Sequence, residues 1–136
     1  MSKKFALLPI LILAFSVVLA ACGGSSSGSG SPSISSTMTD FKFDPNTWTV
    51  PAGKTVTLKL TNNGAVVHNW IVMDKPVTPP APQSGSGIIF QANVNPGGTQ
   101  TFTFTAPSTA GEYEVICNVP GHLEAGMEGK LVVTQP

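Results

Sequence analysis

Four side chains that commonly bind transition metals stand out in this sequence: His68, Cys117, His122 and Met127. The two histidines are the only ones in the chain, and four residues separate Cys117 from His122 and His122 from Met127. Two imidazoles, one thiolate and one thioether form the ligand set of a type 1 copper site, which exchanges single electrons. The sequence therefore predicts one copper ion, cycling between Cu(II) and Cu(I), at these four residues.

The same four residues are also open to interpretations other than a copper site. Taken singly, Cys117 is typical of a small buried apolar residue, and Met127 of core filler. Structural zinc sites rarely include methionine, and a Cys–His protease pair needs an oxyanion loop that the sequence lacks. Two histidines are too few for a multicopper enzyme, so we expect no enzyme. A copper-delivery lipoprotein and a metal-free β-sandwich interaction protein remain as alternatives.

Charge and composition limit the possible partners and the fold. Seven lysines balance seven acidic residues, and the sequence contains no arginine. Nucleic-acid binding is therefore not expected, because it needs a basic surplus. With 136 residues, 14 glycines, 12 prolines and 10% charged residues, the chain is typical of one turn-rich β domain. We expect a monomer.

The N-terminal region has the pattern of an export signal. Lys3 and Lys4 precede an apolar stretch, which ends in Leu-Ala-Ala before Cys22. This ending resembles a bacterial lipobox, so residues 1–21 are predicted to be a lipoprotein signal peptide and Cys22 the lipidated residue. Residues 22–33, rich in Gly and Ser, are predicted to be a flexible tether. The protein is then expected to be exported, anchored by lipid, and to face the periplasm or the cell exterior.

Alternating apolar residues in the rest of the chain predict seven or eight short strands in a two-sheet sandwich. Residues 37–43 are expected to form one strand, with Phe41 and Phe43 on the same face. Residues 75–87 are expected to form an exposed loop, because they are too rich in Pro, Gly and Ser to pack. The domain is predicted to span residues 34–136.

These elements must bring the four chemical side chains together. Cys117 ends a predicted inward-facing strand, and His122 and Met127 lie in the loop that follows it. His68 opens another strand after the turn at residues 62–64. We therefore expect all four side chains to converge at one end of the sandwich.

Two stretches of the sequence resemble the cupredoxin family of blue copper proteins. The first is His-Asn-Trp at residues 68–70, and the second runs from Cys117 through Pro-Gly-His to Gly129. The spacing of four and four residues is similar to that of the auracyanin members. The resemblance covers residues 34–136 and implies an all-β, Greek-key β-sandwich and electron transfer between redox proteins of a photosynthetic or respiratory chain.

The resemblance also implies roles for individual residues. His68, Cys117 and His122 would be equatorial ligands and Met127 the axial one. Asn69 would bridge the two ligand-bearing segments and place its backbone N–H on the Cys117 sulfur. Pro120, which has no N–H, cannot donate a hydrogen bond to that sulfur.

An uncharged docking surface for redox partners is expected around the exposed edge of His122, where electrons would enter and leave. Weak redox encounters use small interfaces of this kind. The residues expected to form it are Ala65, Val66, Val119, Pro120, Leu123 and Ala125.

Overall fold

The computed structural model describes residues 30–136, which form nine strands and no helix. The predicted all-β sandwich is confirmed, with nine strands where seven or eight were expected. Within residues 30–136, no helix is long and apolar enough to cross a membrane. The strands are β1 (Ser33–Thr39), β2 (Lys42–Asp44), β3 (Thr47–Pro51), β4 (Thr55–Asn62), β5 (His68–Met73), β6 (Ile88–Val94), β7 (Thr99–Thr105), β8 (Gly111–Ile116) and β9 (Glu128–Thr134).

The strands form two mixed sheets. One has the order β2-β1-β4-β7 and the other the order β3-β9-β8-β5-β6. β1 pairs with β4 in parallel and β3 pairs with β9 in parallel, whereas the other neighbours are antiparallel. The alternating pattern of β4 places its apolar residues in the core between the sheets, as the sequence predicts; these are Val56, Leu58 and Leu60.

The prediction of one strand over residues 37–43 is wrong. A two-residue turn at Asp40 and Phe41 divides this stretch into β1 and β2, which pair as a hairpin. Phe41 has a φ of 70°, in the left-handed region, and its side chain is 48% exposed. Alternation cannot reveal such a turn, because the polar and apolar residues continue to alternate through it. Phe41 therefore lies on the surface, whereas Phe43 is buried in the core.

β5 is buried on both faces, unlike the other strands. Its Trp70 and Val72 face the core, whereas Ile71 and Met73 pack in a second apolar cluster on the outer side of the sheet. Residues 75–87 supply part of this cluster through Ala81, which is 8% exposed. The expectation that this segment does not pack is therefore wrong, because its few apolar side chains cover β5.

Three of the connections at one end of the sandwich, which we call the ligand pole, lie close to the candidate ligands. They are the turn at Asp40 and Phe41, the loop of residues 63–67 before β5, and the loop of residues 117–127 between β8 and β9. A hydrogen bond from the Ala65 N–H to the Asp40 carboxylate joins the first two. The same pole contains the residues that the sequence singles out for chemistry.

Candidate metal centre

The ligand pole brings His68, Cys117 and His122 together, although the first two lie 49 positions apart in the sequence. One possible ligand atom from each residue lies within 4.8 Å of the others, and all three side chains are buried. The Cys117 Sγ atom lies 3.9 Å from Nδ1 of His68 and 3.4 Å from Nδ1 of His122. Both imidazoles therefore direct the same nitrogen toward the sulfur.

Met127 is fully buried and lies in the same loop as two of these residues. Its N–H donates to the His122 carbonyl at 2.9 Å, and its carbonyl accepts from the Cys117 N–H at 3.1 Å. The His122 N–H in turn donates to the Val119 carbonyl at 3.0 Å. These hydrogen bonds fold residues 117–127 into a compact loop. The backbones of Cys117, His122 and Met127, which are spaced by four and four residues in the sequence, are therefore close together.

Cys117 lies in an environment that opposes its ionisation when no metal is bound. Burial raises the pKa of its thiol above the ordinary value, and backbone hydrogen bonds from Asn69 and Val119 offset part of that rise. Within residues 30–136 the thiol forms no disulfide. The effect of Asn69 is in the direction that the resemblance implies, and Val119 adds a second such effect that the sequence analysis did not identify. Pro120 follows it directly and has no N–H to add.

Asn69 bridges the two ligand-bearing segments, as the resemblance implies. Its Oδ1 accepts from the Asn118 N–H at 2.8 Å, and its Nδ2 donates to the Asn118 Oδ1 at 2.6 Å. Asn118 also donates through Nδ2 to the carbonyl of Pro82 at 2.8 Å. The role of Asn118 was not predicted, although a polar residue directly after the Cys117 strand was a possible signal for it.

His122 is 6% exposed, and the exposed Phe41 ring covers part of it. The two ring centroids are 5.1 Å apart in an edge-to-face arrangement. Burial lowers the pKa of His122, the nearby His68 lowers it further, and the carboxylates of Asp40 and Glu124 act in the opposite direction. A neutral imidazole is the form that binds a metal ion, so this environment favours ligation.

His68 is completely buried, and its second ring nitrogen has a partner that the sequence analysis missed. Its Nε2 lies 3.0 Å from the Oδ1 atom of Asp40, in the turn between β1 and β2. No local pattern indicates this pair, because its members lie 28 positions apart in the sequence.

The residues predicted to form the docking surface differ in exposure. Val66 is 44% exposed, Ala65, Pro120 and Ala125 are exposed, and Val119 is half-buried. Leu123 is 5% exposed and does not belong to this surface. The loop turns its side chain inward, onto the cluster over the outer side of β5. Two exposed apolar residues not predicted for this surface are Phe41 and Val67.

Two hollows lie on the surface of the sandwich. One hollow, of about 420 Å³, lies on the outer side of β8 and β9 and includes none of the four candidate ligand side chains. A second hollow of about 360 Å³ adjoins the ligand loop and is lined in part by Gln83 and Val119. Cys22, the predicted lipidation site, lies outside the residues that the structure describes.

The donor set fits copper. A buried thiolate and two neutral imidazoles suit Cu(I) and Cu(II), and a nearby thioether is typical of a type 1 site rather than a zinc site. His68, Cys117, His122 and Met127 are arranged as a blue copper site. His68 lies on β5, Cys117 directly follows β8, and backbone hydrogen bonds within the loop connect Cys117, His122 and Met127.

Comparisons with known proteins agree with this chemistry. Auracyanin-A of Chloroflexus aurantiacus is 38% identical, over 90% of this chain and 93% of that protein. Its solved structure, described as a "blue" copper protein from a green thermophilic photosynthetic bacterium, has a TM-score of 0.66 and covers 77% of this chain and all of that one. The copper-resistant cuproprotein CopI of Rubrivivax gelatinosus is 33% identical, over 68% of this chain and 60% of that protein.

The match to a family model is also extensive. A family described as the cupredoxin-like domain matches residues 11–133, which is most of the chain. The fold, the donor set and the relatives thus lead to the same assignment. The chain belongs to the cupredoxin-like family, whose blue copper members carry electrons on one type 1 copper ion.

Proposed function

We propose that this protein is a membrane-tethered electron carrier, which passes single electrons between redox proteins outside the cytoplasm. One observation carries the proposal: three buried donor atoms within 4.8 Å of one another lie at the pole where exposed apolar side chains cluster. A redox centre near the surface, under a cluster of exposed apolar side chains, permits electron exchange in a brief encounter.

Each ligand has a distinct role in this proposal. His68, Cys117 and His122 hold the ion most strongly, and Met127 contributes the weaker thioether. A copper ion held by these residues supplies a one-electron couple between Cu(II) and Cu(I). The N–H groups of Asn69 and Val119 stabilise the Cys117 thiolate, and such outer bonds orient ligands and tune their donor strength.

His122 is the ligand through which electrons enter and leave. It lies in the ligand loop, with Phe41 against its ring and Val66 among the exposed residues of the same pole. We define the docking surface by the exposed and half-buried residues at this pole, in place of the predicted set that included Leu123. Its members are Phe41, Ala65, Val66, Val67, Val119, Pro120 and Ala125.

The proposed anchor is lipid on Cys22, after removal of residues 1–21. Acyl chains contribute about 0.8 kcal/mol per buried CH₂, so more than one chain anchors a protein firmly. We propose partners in a photosynthetic or respiratory chain. The relationship to auracyanin-A, whose solved structure is described as coming from a photosynthetic bacterium, supports this class of partner.

A visible absorption spectrum is the most direct test of the copper site. The purified protein is titrated with Cu(II), then reduced with ascorbate and reoxidised. We expect an intense thiolate-to-copper band that disappears on reduction and returns on oxidation, and Cys117→Ala should lack it. A colourless protein that binds no copper would refute the assignment and favour a metal-free interaction protein.

A copper-delivery role is the second candidate, and the similarity to CopI, named a copper-resistant cuproprotein, favours it. A delivery protein has to release its ion readily, whereas an electron carrier has to retain it in both oxidation states. Repeated voltammetric cycles in the presence of a copper chelator distinguish the two. A stable, reversible wave supports electron transfer, and rapid loss of copper in the reduced state supports delivery.

The anchor requires a separate test. Mass spectrometry of the full chain expressed in a bacterial host should show a diacylglyceryl-modified N-terminal peptide beginning at Cys22. Cys22→Ser should leave the protein unlipidated and move it from the membrane fraction to the soluble fraction. Membrane retention of this variant would contradict the lipid anchor.

A further inference from the structure

The His68 imidazole is held from its outer side by a carboxylate. Asp40 Oδ1 lies 3.0 Å from Nε2, and Nδ1 of the same ring faces the Cys117 sulfur at 3.9 Å. The imidazole is completely buried, whereas the Asp40 side chain is 42% exposed. One ring nitrogen is thus directed to the metal centre and the other to a fixed negative charge.

The chemistry of the pair determines where the ring proton resides. An ionised carboxylate can only accept a hydrogen bond, so Nε2 must carry the hydrogen and donate it to Asp40. In the neutral ring, Nδ1 then keeps its lone pair for a metal ion. The contact therefore selects the tautomer in which His68 is ready to bind copper.

The loop before β5 is shaped to permit this contact. A Cβ atom at Gly64 would lie 2.6 Å from Asp40 Oδ1 and would also collide with His68 Nε2, so the absence of a side chain leaves room for the hydrogen bond. The buried Asn62 side chain holds the loop by accepting from the Gly64 N–H at 2.8 Å and donating to the Val66 carbonyl at 2.8 Å.

Asp40 is itself held in place by the same loop. Its two carboxylate oxygens accept from the Ala65 N–H at 3.2 and 3.3 Å, and the next residue, Phe41, has the left-handed φ of 70°. The turn thus presents Asp40 to His68 and Phe41 to His122. Both ligand imidazoles are contacted from a single two-residue turn.

We infer that Asp40 is a positioning residue, which fixes the orientation and tautomer of His68 and strengthens its donation to Cu(II) relative to Cu(I). The inference rests on the copper assignment proposed above. A carboxylate on the outer nitrogen makes an imidazole a more basic ligand, and loss of such a partner commonly lowers metal affinity 10–100-fold, as an order of magnitude. Because the effect is larger for the more highly charged ion, Asp40 lowers the reduction potential of the site.

The test compares the reduction potentials of the wild-type full chain and two variants. Asp40→Asn removes the charge but keeps an oxygen that can accept, and Asp40→Ala removes both. We expect both variants to have a higher potential, with the larger rise in Asp40→Ala. A tenfold change in the ratio of Cu(II) to Cu(I) affinity corresponds to about 59 mV for a one-electron couple.

Glu124→Gln is the matched control. Glu124 is an exposed acid near His122, and within residues 30–136 it makes no side-chain hydrogen bond to a ligand histidine. Its removal changes the net charge by the same amount as Asp40→Asn. A shift in Glu124→Gln as large as that in Asp40→Asn would overturn the inference, because net charge alone would then account for the effect.

A second readout does not need copper at all. Nitrogen-15 NMR of the metal-free protein reports which ring nitrogen of His68 carries hydrogen. We expect the Nε2–H form in the wild type, and a mixture of tautomers in Asp40→Ala and Gly64→Ala. An unchanged tautomer and an unchanged potential in Asp40→Ala would refute the role of Asp40, whereas absence of the blue band in the wild type would instead refute the copper assignment.

Discussion

Cys117 combines two opposing requirements in one side chain. The thiol is completely buried, and burial disfavours the thiolate that a copper site needs. The N–H groups of Asn69 and Val119 offset only part of that cost, so a metal ion is the main compensation for the charge. The residue is therefore expected to change from an inert thiol to a thiolate ligand when copper binds.

The two shifted groups predict how the stability of the metal-free protein depends on pH. The pKa of Cys117 is raised from its ordinary value of 9.0, so stability should fall as the pH rises above that value, where only the unfolded thiol ionises. The pKa of His122 is lowered from 6.5, so stability should also fall as the pH decreases below 6.5. Urea unfolding of the metal-free protein from pH 5 to 10 measures both losses of stability.

Two variants identify the group responsible for the loss of stability at each end of the pH range. Cys117→Ala should reduce the loss of stability at alkaline pH, and His122→Gln should reduce the loss at acidic pH. If the loss persists in the corresponding variant, other titratable groups are responsible for it.

Asn69 predicts an effect on stability as well as on the metal site. Asn69→Ala leaves the buried Asn118 N–H without its acceptor, and an unsatisfied buried group costs about 1–3 kcal/mol. Urea unfolding of the metal-free protein should show this loss. The control is Asn93→Ala, because Asn93 lies opposite Asn69 on β6 but is exposed. Equal effects of the two substitutions would contradict the role of the Asn69–Asn118 pair.

At the scale of elements, the segment of residues 75–87 connects the outer side of β5 to the ligand loop. Gln83 donates through Nε2 to the Asn118 carbonyl at 2.7 Å, and Asn118 donates back to the Pro82 carbonyl at 2.8 Å. Ala81 packs beside Leu123, which is the reason that Leu123 is buried. The segment thus supports the ligand loop from outside.

Removal of this support should loosen the ligand loop. Gln83→Ala removes one hydrogen bond to the Asn118 carbonyl, which costs about 0.5–1.5 kcal/mol. We expect faster hydrogen exchange at the backbone amides of residues 118–122 in the metal-free protein. Gln91→Ala is the control, because Gln91 is exposed and its side chain bonds, among the described residues, only to the Asn93 side chain. No difference between the two variants would mean that the loop is held by its own backbone bonds.

Some of the strands can be predicted from the alternation of apolar residues, whereas the Asp40 turn and the long-range contacts cannot. Alternation predicts β4 and the inward side chains of β7 and β8, because burial on one face imposes a period of two. The same alternation conceals the turn at Asp40, where conformation changes without a change in polarity. Asp40 and Asn118 could not be predicted for a different reason. Asp40 contacts His68, 28 positions away in the sequence, and Asn118 contacts Asn69, 49 positions away.

At the scale of the whole molecule, the two ends of the sandwich differ in their position relative to the candidate copper site. Exposed apolar residues cluster at the ligand pole, with Phe41 and Val66 among the most exposed large hydrophobic side chains. The turn that contains Ser108 lies at the opposite end, because β7 runs away from the ligand pole. Electron exchange with protein partners should therefore depend on only one end of the molecule.

A charge introduced at each end tests this separation. Val66→Lys places an ammonium group in the docking surface and should slow electron exchange with a partner at least several-fold, while the blue band is unchanged. Ser108→Lys introduces the same charge at the opposite end and should have little effect on the rate. Stopped-flow kinetics with a purified cytochrome measures both rates, and equal slowing would place the contact elsewhere.

The course of β1 also determines how an anchored molecule would face its surroundings. β1 begins at Ser33, where the predicted tether ends, and runs for seven residues to the Asp40 turn at the ligand pole, about 20 Å away from the usual rise of a strand. The start of β1 and the candidate copper site thus lie at opposite ends of the domain, and in a molecule anchored through Cys22 the site would be directed outward from the membrane. Deletion of residues 25–30 should slow exchange with a membrane-embedded partner, measured in proteoliposomes, and leave exchange with a water-soluble partner unchanged. The length of a short, chemically inert linker would then select which partners the copper site can reach.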